Sequence, residues 1–339
     1  MTQCLKILFL GPPPEQKVPW ENDVIRAVDS RHELVLFEPR ASLKEQFHEV
    51  AVVLDFGGNM GTRAMADASG SVKLWQILGT GFDRFDLDYW RQKKIPVANC
   101  PGQLSAIPLA ECALMYMLML AHRWHETQHS LRNRILYNPM GHELEGLQLG
   151  LIGFGASASE LAKRARAFGM KLAAIDVREI SLDEQRRYGL DFAGKPADMD
   201  RVFSESDYVS LHLHLNRETR GIVNERRLSL MKPTAFLINV ARGALVDEQA
   251  LIRHLQRGGL AGAGLDVFES EPPDPANPLL HMPNVVATPH TSGLSYATSR
   301  RRAACASENI ERIAMGLEPL YRVDGLTAPE MVPAGSPTF

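Results

Sequence analysis

Cysteine is scarce: the 339 residues hold only Cys4, Cys100, Cys112 and Cys305, with no C-x-x-C pair. That excludes a disulfide framework and a zinc knuckle, and leaves reduced, mostly buried thiols as the ordinary expectation. Positive charge is not in excess either, since 37 Lys and Arg face 40 Asp and Glu for a formal charge of -3. Nothing in the composition therefore points to a polyanion such as nucleic acid. The longest apolar segment, "IPLAECALMYMLMLAHR", is interrupted by Glu111 and is expected to fall short of the ~18 residues a membrane span needs. The N-terminal apolar run in "MTQCLKILFLGPPPEQ" stops at Gly11 and three prolines, which suits a buried strand better than a signal peptide. With no internal repeat and no low-complexity block, these absences leave a soluble globular protein, expected in the cytoplasm without a membrane partner.

At roughly 150 residues per domain the length predicts two domains. Before residue 100, short β-rich runs ("KILFLG", "ELVLFEP", "VAVVLDF", "KLWQIL", "IPVAN") alternate with helical compositions such as "PWENDVIRAVDS" and "RAMADASGS". The rhythm is βαβ, hence a parallel sheet covered by helices. It restarts at "LQLGLIG" and runs through "KLAAID", "DYVSLHLH", "TAFLINV", "AGAGLDVF" and "NVVATPH". The fold class is therefore α/β, with two doubly wound parallel-sheet domains. The segment from Pro108 to about Trp124, apolar nearly all round, reads as a buried crossover helix between them. The pattern "LSYATSRRRAACASENIERIAMG" reads as a long helix packing back on the first unit, and the tail "PEMVPAGSPTF" as flexible.

The stretch "GLIGFGASAS", Gly150 to Ser159, carries Gly153 and Gly155, with Ala158 at the third position of a G-x-G-x-x-G pattern. Alone that pattern is weak, and a glycine-rich turn without a ligand is the plain alternative. Context decides: a strand-like run precedes it, a helical pattern closed by Gly169 follows, and the next strand ends in Asp176. Gly153 would make the turn, Gly155 would let the backbone approach a pyrophosphate, and Ala158 would pack helix on strand. The N–H groups of Ala156 and Ser157 would face the phosphates from a helix N-terminus. Asp176 would accept from the adenosine ribose and repel a 2′-phosphate, so NAD is expected over NADP, with Arg178 as the one residue pulling the other way.

Ligands collect beyond the carboxyl ends of parallel strands. There the sequence places Arg242 after "AFLINVA", Asp266 and Glu271 around "GLDVFESEP", and His290 after "NVVATP". Oxidising a hydroxyl-bearing carbon moves a proton on its oxygen, for which imidazole has a suitable pKa. His290 is the candidate, Glu271 its orienting carboxylate, and Arg242 the fork for a substrate carboxylate and carbonyl oxygen. Singly, each has an ordinary alternative: Arg242 paired to Asp247, Glu271 a solvated loop acid, His290 a satisfied core histidine. The conjunction favours the site. No metal is expected: His122, His125 and His129 fall on one helical face without a carboxylate or cysteine pattern.

The motifs "VANCPGQLSAIPLAECA", "SLHLHLNRETRGIVN", "LMKPTAFLINVARGALVDEQAL", "AGAGLDVFESEP" and "NVVATPHTSG" make the chain similar to the D-isomer-specific 2-hydroxyacid dehydrogenase family from about Leu78 to Gly293. The resemblance implies Arg242, Glu271 and His290 as the catalytic set, Asp266 near the nicotinamide carboxamide, and Val240 and Ala241 among the cofactor contacts. It implies that the N–H groups of Gly79, Thr80 and Gly81 hold the substrate carboxylate. It also implies a Rossmann NAD-binding domain at 104–292 inserted into a flavodoxin-like substrate domain at 1–103 and 293–339, joined by a hinge. The segment from the crossover helix to about Gly146 would then reach a second subunit, implying a homodimer.

Relatives acting on 3-phosphoglycerate carry arginines after the third strand, where "DFGGNMGTR" has no cation before Arg63. Formate-oxidising relatives carry glutamine where Glu271 stands. His214 occupies a position usually held by proline, and "HTSG" replaces the commoner "HIGG". The expected substrate is a small 2-keto or 2-hydroxy acid resembling glyoxylate or hydroxypyruvate. The alternatives are a 3-phosphoglycerate dehydrogenase and an NAD(H)-responsive, corepressor-like binding protein.

Overall fold

The structure, a computed structural model, describes residues 3–12, 21–28, 30–58 and 60–325; the tail expected to be flexible lies outside them. The chain divides into two compact units, Met1–Leu104 with Ser295–Phe339 and Ser105–Leu294.

In the first unit five parallel strands, β1 (Lys6–Leu10), β2 (Glu33–Leu36), β3 (Val50–Asp55), β4 (Leu74–Ile77) and β5 (Val97–Ala98), run in the order β2-β1-β3-β4-β5. That is the flavodoxin-like order. Its central strands β3 and β4 are buried along their whole length, which is why they read as continuous apolar runs. The helix Tyr296–Ala314 packs on Glu21–Ala27 of the same unit, so the C-terminal segment returns as its pattern suggested.

The second unit holds seven parallel strands: β6 (Gln148–Ile152), β7 (Lys171–Ile175), β8 (Phe192–Gly194), β9 (Tyr208–Leu211), β10 (Phe236–Asn239), β11 (Gly262–Leu265) and β12 (Val285–Ala287). Their order, β12-β11-β10-β9-β6-β7-β8, reverses direction between β6 and β9, the switch point where dinucleotides bind. β8 has no counterpart among the apolar runs because it is a three-residue edge strand whose residues are only half-buried, too short to leave a pattern.

Two expectations are corrected. The apolar segment is not too short to match a membrane span, since Gly102–Ala121 is helical over 20 residues and passes that test by length and composition. Its Ala110, Ala113, Tyr116 and Met117 are instead core of the second unit, on a face packed against β10, β11 and the helix Ala156–Ala167. It is not buried all round, because Ile107 and Met115 on the other face are exposed. The three histidines do not share one helical face. His122 caps Ala106–Ala121, Arg123 turns the backbone left-handed (φ 48°), and His125 and His129 belong to the next helix, Trp124–Arg132. His125 meets the Val285 carbonyl oxygen at 3.1 Å and His129 meets Asn133 at 3.1 Å.

Candidate active site

The glycine turn after β6 is built by two different demands. Gly153 has φ +87°, and a Cβ there would lie 2.7 Å from the His212 carbonyl oxygen, so the protein itself requires glycine. Gly155 has an ordinary φ of -90° as the N-cap residue of Ala156–Ala167, and a Cβ there would meet nothing within 4 Å. The open space above Gly155 and the N–H groups of Ala156 and Ser157, for which no acceptor is found among the described residues, fit a pyrophosphate. Ala158 is buried in the core, as the third small residue should be.

Asp176 ends β7 and accepts the Phe154 N–H at 2.7 Å and the Arg178 N–H at 3.0 Å, which ties the acid to the turn. The Arg178 guanidinium grips Glu184 with two hydrogen bonds of 2.9 Å and donates to the Phe154 carbonyl at 2.8 Å. It is therefore committed within the protein, while Asp176 stands beside the glycine turn.

Sequence reasoning missed His212. Its ring joins the hydroxyls of Ser157 and Ser210, each at 2.9 Å, so the Ser157 side chain is turned to the end of β9 while its N–H stays with the turn. Burial holds the His212 imidazole down to about 3, so it is neutral where the protein works and acts as a strut. The only signal was its place in "LHLHL". His214, which did draw notice, is exposed and contributes its carbonyl to Thr219 at 2.7 Å; nothing in the structure explains the imidazole there.

The ends of the adjacent strands β10, β11 and β12 bring Arg242, Asp266, Glu271 and His290 together. Glu271 Oε2 lies 3.0 Å from His290 Nδ1, with the carboxylate largely buried (18% exposed side chain) and the imidazole half-exposed (49%). That is the geometry in which a carboxylate orients an imidazole and leaves Nε2 for a reacting oxygen. The other Glu271 oxygen accepts the Phe268 N–H at 3.3 Å. Arg242 sits nearby because Gly243 packs directly on the Phe268 main chain, where a Cβ would come within 1.9 Å of the carbonyl. Asn239 fixes the same loop by donating to the Arg242 carbonyl at 2.8 Å. The Asp247 carboxylate accepts the Ala250 N–H at 2.9 Å as a helix cap.

Two residues assigned to the cofactor stand differently. Asp266 is completely buried, and its carboxylate accepts from Thr288 Oγ1 and from the N–H groups of Thr291 (2.8 Å) and Ser292 (2.9 Å). Its carbonyl takes the His290 N–H at 2.8 Å. The carboxylate that the resemblance sets near the carboxamide is thus turned into the loop that carries His290, where it holds the left-handed backbone of that residue (φ 55°). Val240 is core, 4% exposed, so only its main chain can face a cofactor; Ala241 is half-buried.

In the first unit no acceptor among the described residues takes up the N–H groups of Gly79, Thr80 and Gly81, while the carbonyls of Gly79 and Thr80 are fixed from behind. Cys100 N–H donates to Gly79 O at 3.1 Å and Asn99 Nδ2 to Thr80 O at 2.8 Å. The neighbouring loop after β3 is folded inward onto the buried carboxylate of Asp55, which accepts from Gly57, Gly58, Gly61 and the Trp75 indole at 2.8–3.2 Å. Arg63, the first cation beyond it, is bound to Asp86 at 2.7 Å and lies over the Tyr89 ring. Among the described residues no group of three or more His, Cys, Asp or Glu is placed to hold a metal.

A reversing parallel sheet, an open glycine turn with an acid at the next strand end, and an imidazole–carboxylate pair next to the loop that carries Arg242 define a dinucleotide-dependent oxidoreductase. Comparison with known proteins agrees. Residues 114–292 match the model of the D-isomer specific 2-hydroxyacid dehydrogenase NAD binding domain. A hydroxypyruvate reductase of Thermotoga maritima is 38% identical over 269 residues, covering 78% of this chain and 84% of that protein. A glyoxylate reductase of Thermococcus litoralis is 32% identical over 320 residues, 90% and 95% of the two chains. The crystal structure of the Aquifex aeolicus D-lactate dehydrogenase with NAD and lactic acid superposes with a TM-score of 0.79 at 28% identity, covering 95% of this chain and all of that one. The chain belongs to the D-isomer-specific 2-hydroxyacid dehydrogenase family and is an NAD-dependent oxidoreductase acting on CH–OH groups.

Two tests follow from the turn. Gly153→Ala is expected to cost roughly 2–4 kcal/mol through strain and overlap, whereas Gly155→Ala should leave stability within about 0.5 kcal/mol and weaken NADH binding at least about tenfold. Thermal unfolding and NADH titration separate the two, and a destabilised Gly155→Ala would refute the open-space reading. His212 ionises in the folded chain only near 3, against 6.5 for a free imidazole, so between those values the unfolded state binds the extra proton and stability falls as pH falls. From pH 7.5 to 5.5, wild type should lose about 1 kcal/mol more than His212→Asn, read by denaturant unfolding; equal losses would mean that His212 is not held neutral.

Proposed function

We propose that this protein is a reductase of a small, unphosphorylated 2-keto acid of the glyoxylate or hydroxypyruvate type, working with NADH. The observation that carries the reading is the 3.0 Å His290–Glu271 pair at the strand ends, with the loop of Arg242 held next to it through the Gly243–Phe268 approach. When bound, the dinucleotide supplies the hydride. His290 then gives its Nε2 proton to the carbonyl oxygen as that oxygen gains charge, and Glu271 stabilises the imidazolium from the Nδ1 side. Arg242 offers its planar fork to the same oxygen and to the substrate carboxylate. In the first unit, the open N–H groups of Gly79, Thr80 and Gly81 form a nest of a kind that suits a carboxylate.

Substrate size is argued from what is missing for a phosphate. The loop after β3 spends the N–H groups of Gly57, Gly58 and Gly61 on Asp55, and Arg63 is spent on Asp86. Neither is left for a second anion, which speaks against 3-phosphoglycerate. The preference for NAD is supported by Asp176 at the ribose position and by the engagement of Arg178 with Glu184. A second copy of the chain is the proposed partner, supported by exposed apolar side chains in the second unit at Leu131, Leu136, Tyr137 and Met140.

The direct test is NADH oxidation against glyoxylate, hydroxypyruvate, pyruvate, phenylpyruvate and 3-phosphohydroxypyruvate. Glyoxylate or hydroxypyruvate should give the highest kcat/KM, and a preference for the phosphorylated acid would overturn the reading. Binding of NADH with no turnover of any acid would favour a binding protein instead. His290→Gln should lower kcat about a hundredfold to ten-thousandfold with NADH affinity retained; undiminished turnover would remove His290 from the mechanism. Asp176→Ala should reduce the preference for NADH over NADPH about tenfold, and an unchanged preference would mean that another group reads the ribose.

A further inference from the structure

A hydroxyl interrupts the apolar core of the second unit close to the His290 loop. Tyr116 stands in the otherwise aliphatic run "ALMYMLMLA" of the helix Ala106–Ala121 and is completely buried. The helix comes close to the sheet at Gly264 of β11, where a Cβ would lie 2.5 Å from the Tyr116 Cβ. From there the phenol reaches the end of the neighbouring strand β12, and its oxygen is hydrogen-bonded to Thr288 Oγ1. Leu or Phe would fill such a place without a polar atom that has to find a partner.

The direction of the bonds follows from counting hydrogens. Both oxygens of Asp266 accept main-chain N–H groups, Oδ1 from Thr291 at 2.8 Å and Oδ2 from Ser292 at 2.9 Å. Thr288 therefore donates its single hydroxyl hydrogen to Asp266 Oδ1, and the Tyr116 hydroxyl is the donor to Thr288. Burial pushes the Tyr116 phenol up, so it keeps the proton it shares. The result is a chain of hydrogen bonds from Tyr116 through Thr288 to the carboxylate that also gathers the two residues after His290. All of these residues belong to the second unit.

We propose that Tyr116 is a positioning residue for His290, acting through Thr288 and Asp266. Being completely buried, it works on its neighbours. Its hydrogen bond fixes the Thr288 hydroxyl in one orientation and polarises it toward Asp266. One carboxylate then holds the loop on both sides of His290, by the Thr288 side chain before it and the Thr291 and Ser292 N–H groups after it. The left-handed backbone of His290 (φ 55°) persists only where its surroundings enforce it. With the first link gone, the loop relaxes and the imidazole shifts from its place on Glu271. A misplaced proton donor slows the chemical step without weakening binding. The effect on rate rests on the proposed role of His290, whereas the tie to the loop does not.

The test uses the full-length enzyme and Tyr116→Phe, which keeps the ring and removes only the hydroxyl. With NADH and glyoxylate, the saturating single-turnover rate should fall about fivefold or more. The glyoxylate concentration that half-saturates it and the NADH affinity should stay within about twofold of wild type. Thr288→Val should lose at least as much rate, and adding Tyr116→Phe to it should cost nothing further, because the two hydroxyls act in series. By hydrogen–deuterium exchange, the Thr291 and Ser292 amides should exchange about threefold faster or more in Tyr116→Phe. An unchanged rate, a loss matched by weaker NADH binding, losses that multiply in the double variant, or unchanged exchange at those amides overturns the proposal. If glyoxylate is not turned over at all, the exchange rates still decide the tie, and the fault lies with the substrate assignment. Full turnover by His290→Gln would instead place the fault in the role given to His290.

Discussion

The buried carboxylate of Asp266 is the constraint on which the geometry at the ends of β10, β11 and β12 depends. A carboxylate removed from water must be met by donors, or it costs several kcal/mol. Here the donors are the Thr288 hydroxyl and the N–H groups of Thr291 and Ser292, so satisfying the charge wraps the loop around it. The residue at the crest of that loop, His290, is thereby held in a left-handed conformation that a side chain rarely adopts. Its Nδ1 faces Glu271 as a result. The Gly243–Phe268 approach does the same for the flanking loops, since only a missing Cβ lets them touch.

The same economy appears at the dinucleotide turn. Gly153, His212 and the hydroxyls of Ser157 and Ser210 fix the backbone from inside the protein, and Asp176 fixes it from the next strand. What remains, the space over Gly155 and the first N–H groups of the helix, is what a diphosphate needs. In the first unit Asp55 gathers the loop after β3 inward in the way Asp266 gathers the His290 loop. Buried acids that collect main-chain N–H groups therefore shape the loops at strand ends in both units.

Much of this was legible in the chain. Strands buried on both faces read as apolar runs, so eleven of the twelve strands among the described residues were marked by composition, and β8 escaped because an edge strand of three half-buried residues carries no such run. The polar residues Arg242, Glu271 and His290 stood out because each follows an apolar strand that ends abruptly. His212 did not, because a histidine in an alternating "LHLHL" looks alike whether it points to solvent or to two serines. The face assigned to His122, His125 and His129 failed at Arg123, where a left-handed residue breaks a helix that no proline or glycine announces.

The sequence by itself determined the two doubly wound sheets, the place of the dinucleotide turn and the residue types at the strand ends, because hydrophobic period and turn chemistry are local properties. Only the tertiary structure decided that Asp266 faces the His290 loop and that Arg178 and Arg63 are committed to Glu184 and Asp86. These are pairings between segments far apart in the chain, or choices among several nearby partners. They follow from which strands lie side by side and which donors a buried charge can reach, and no local pattern encodes either.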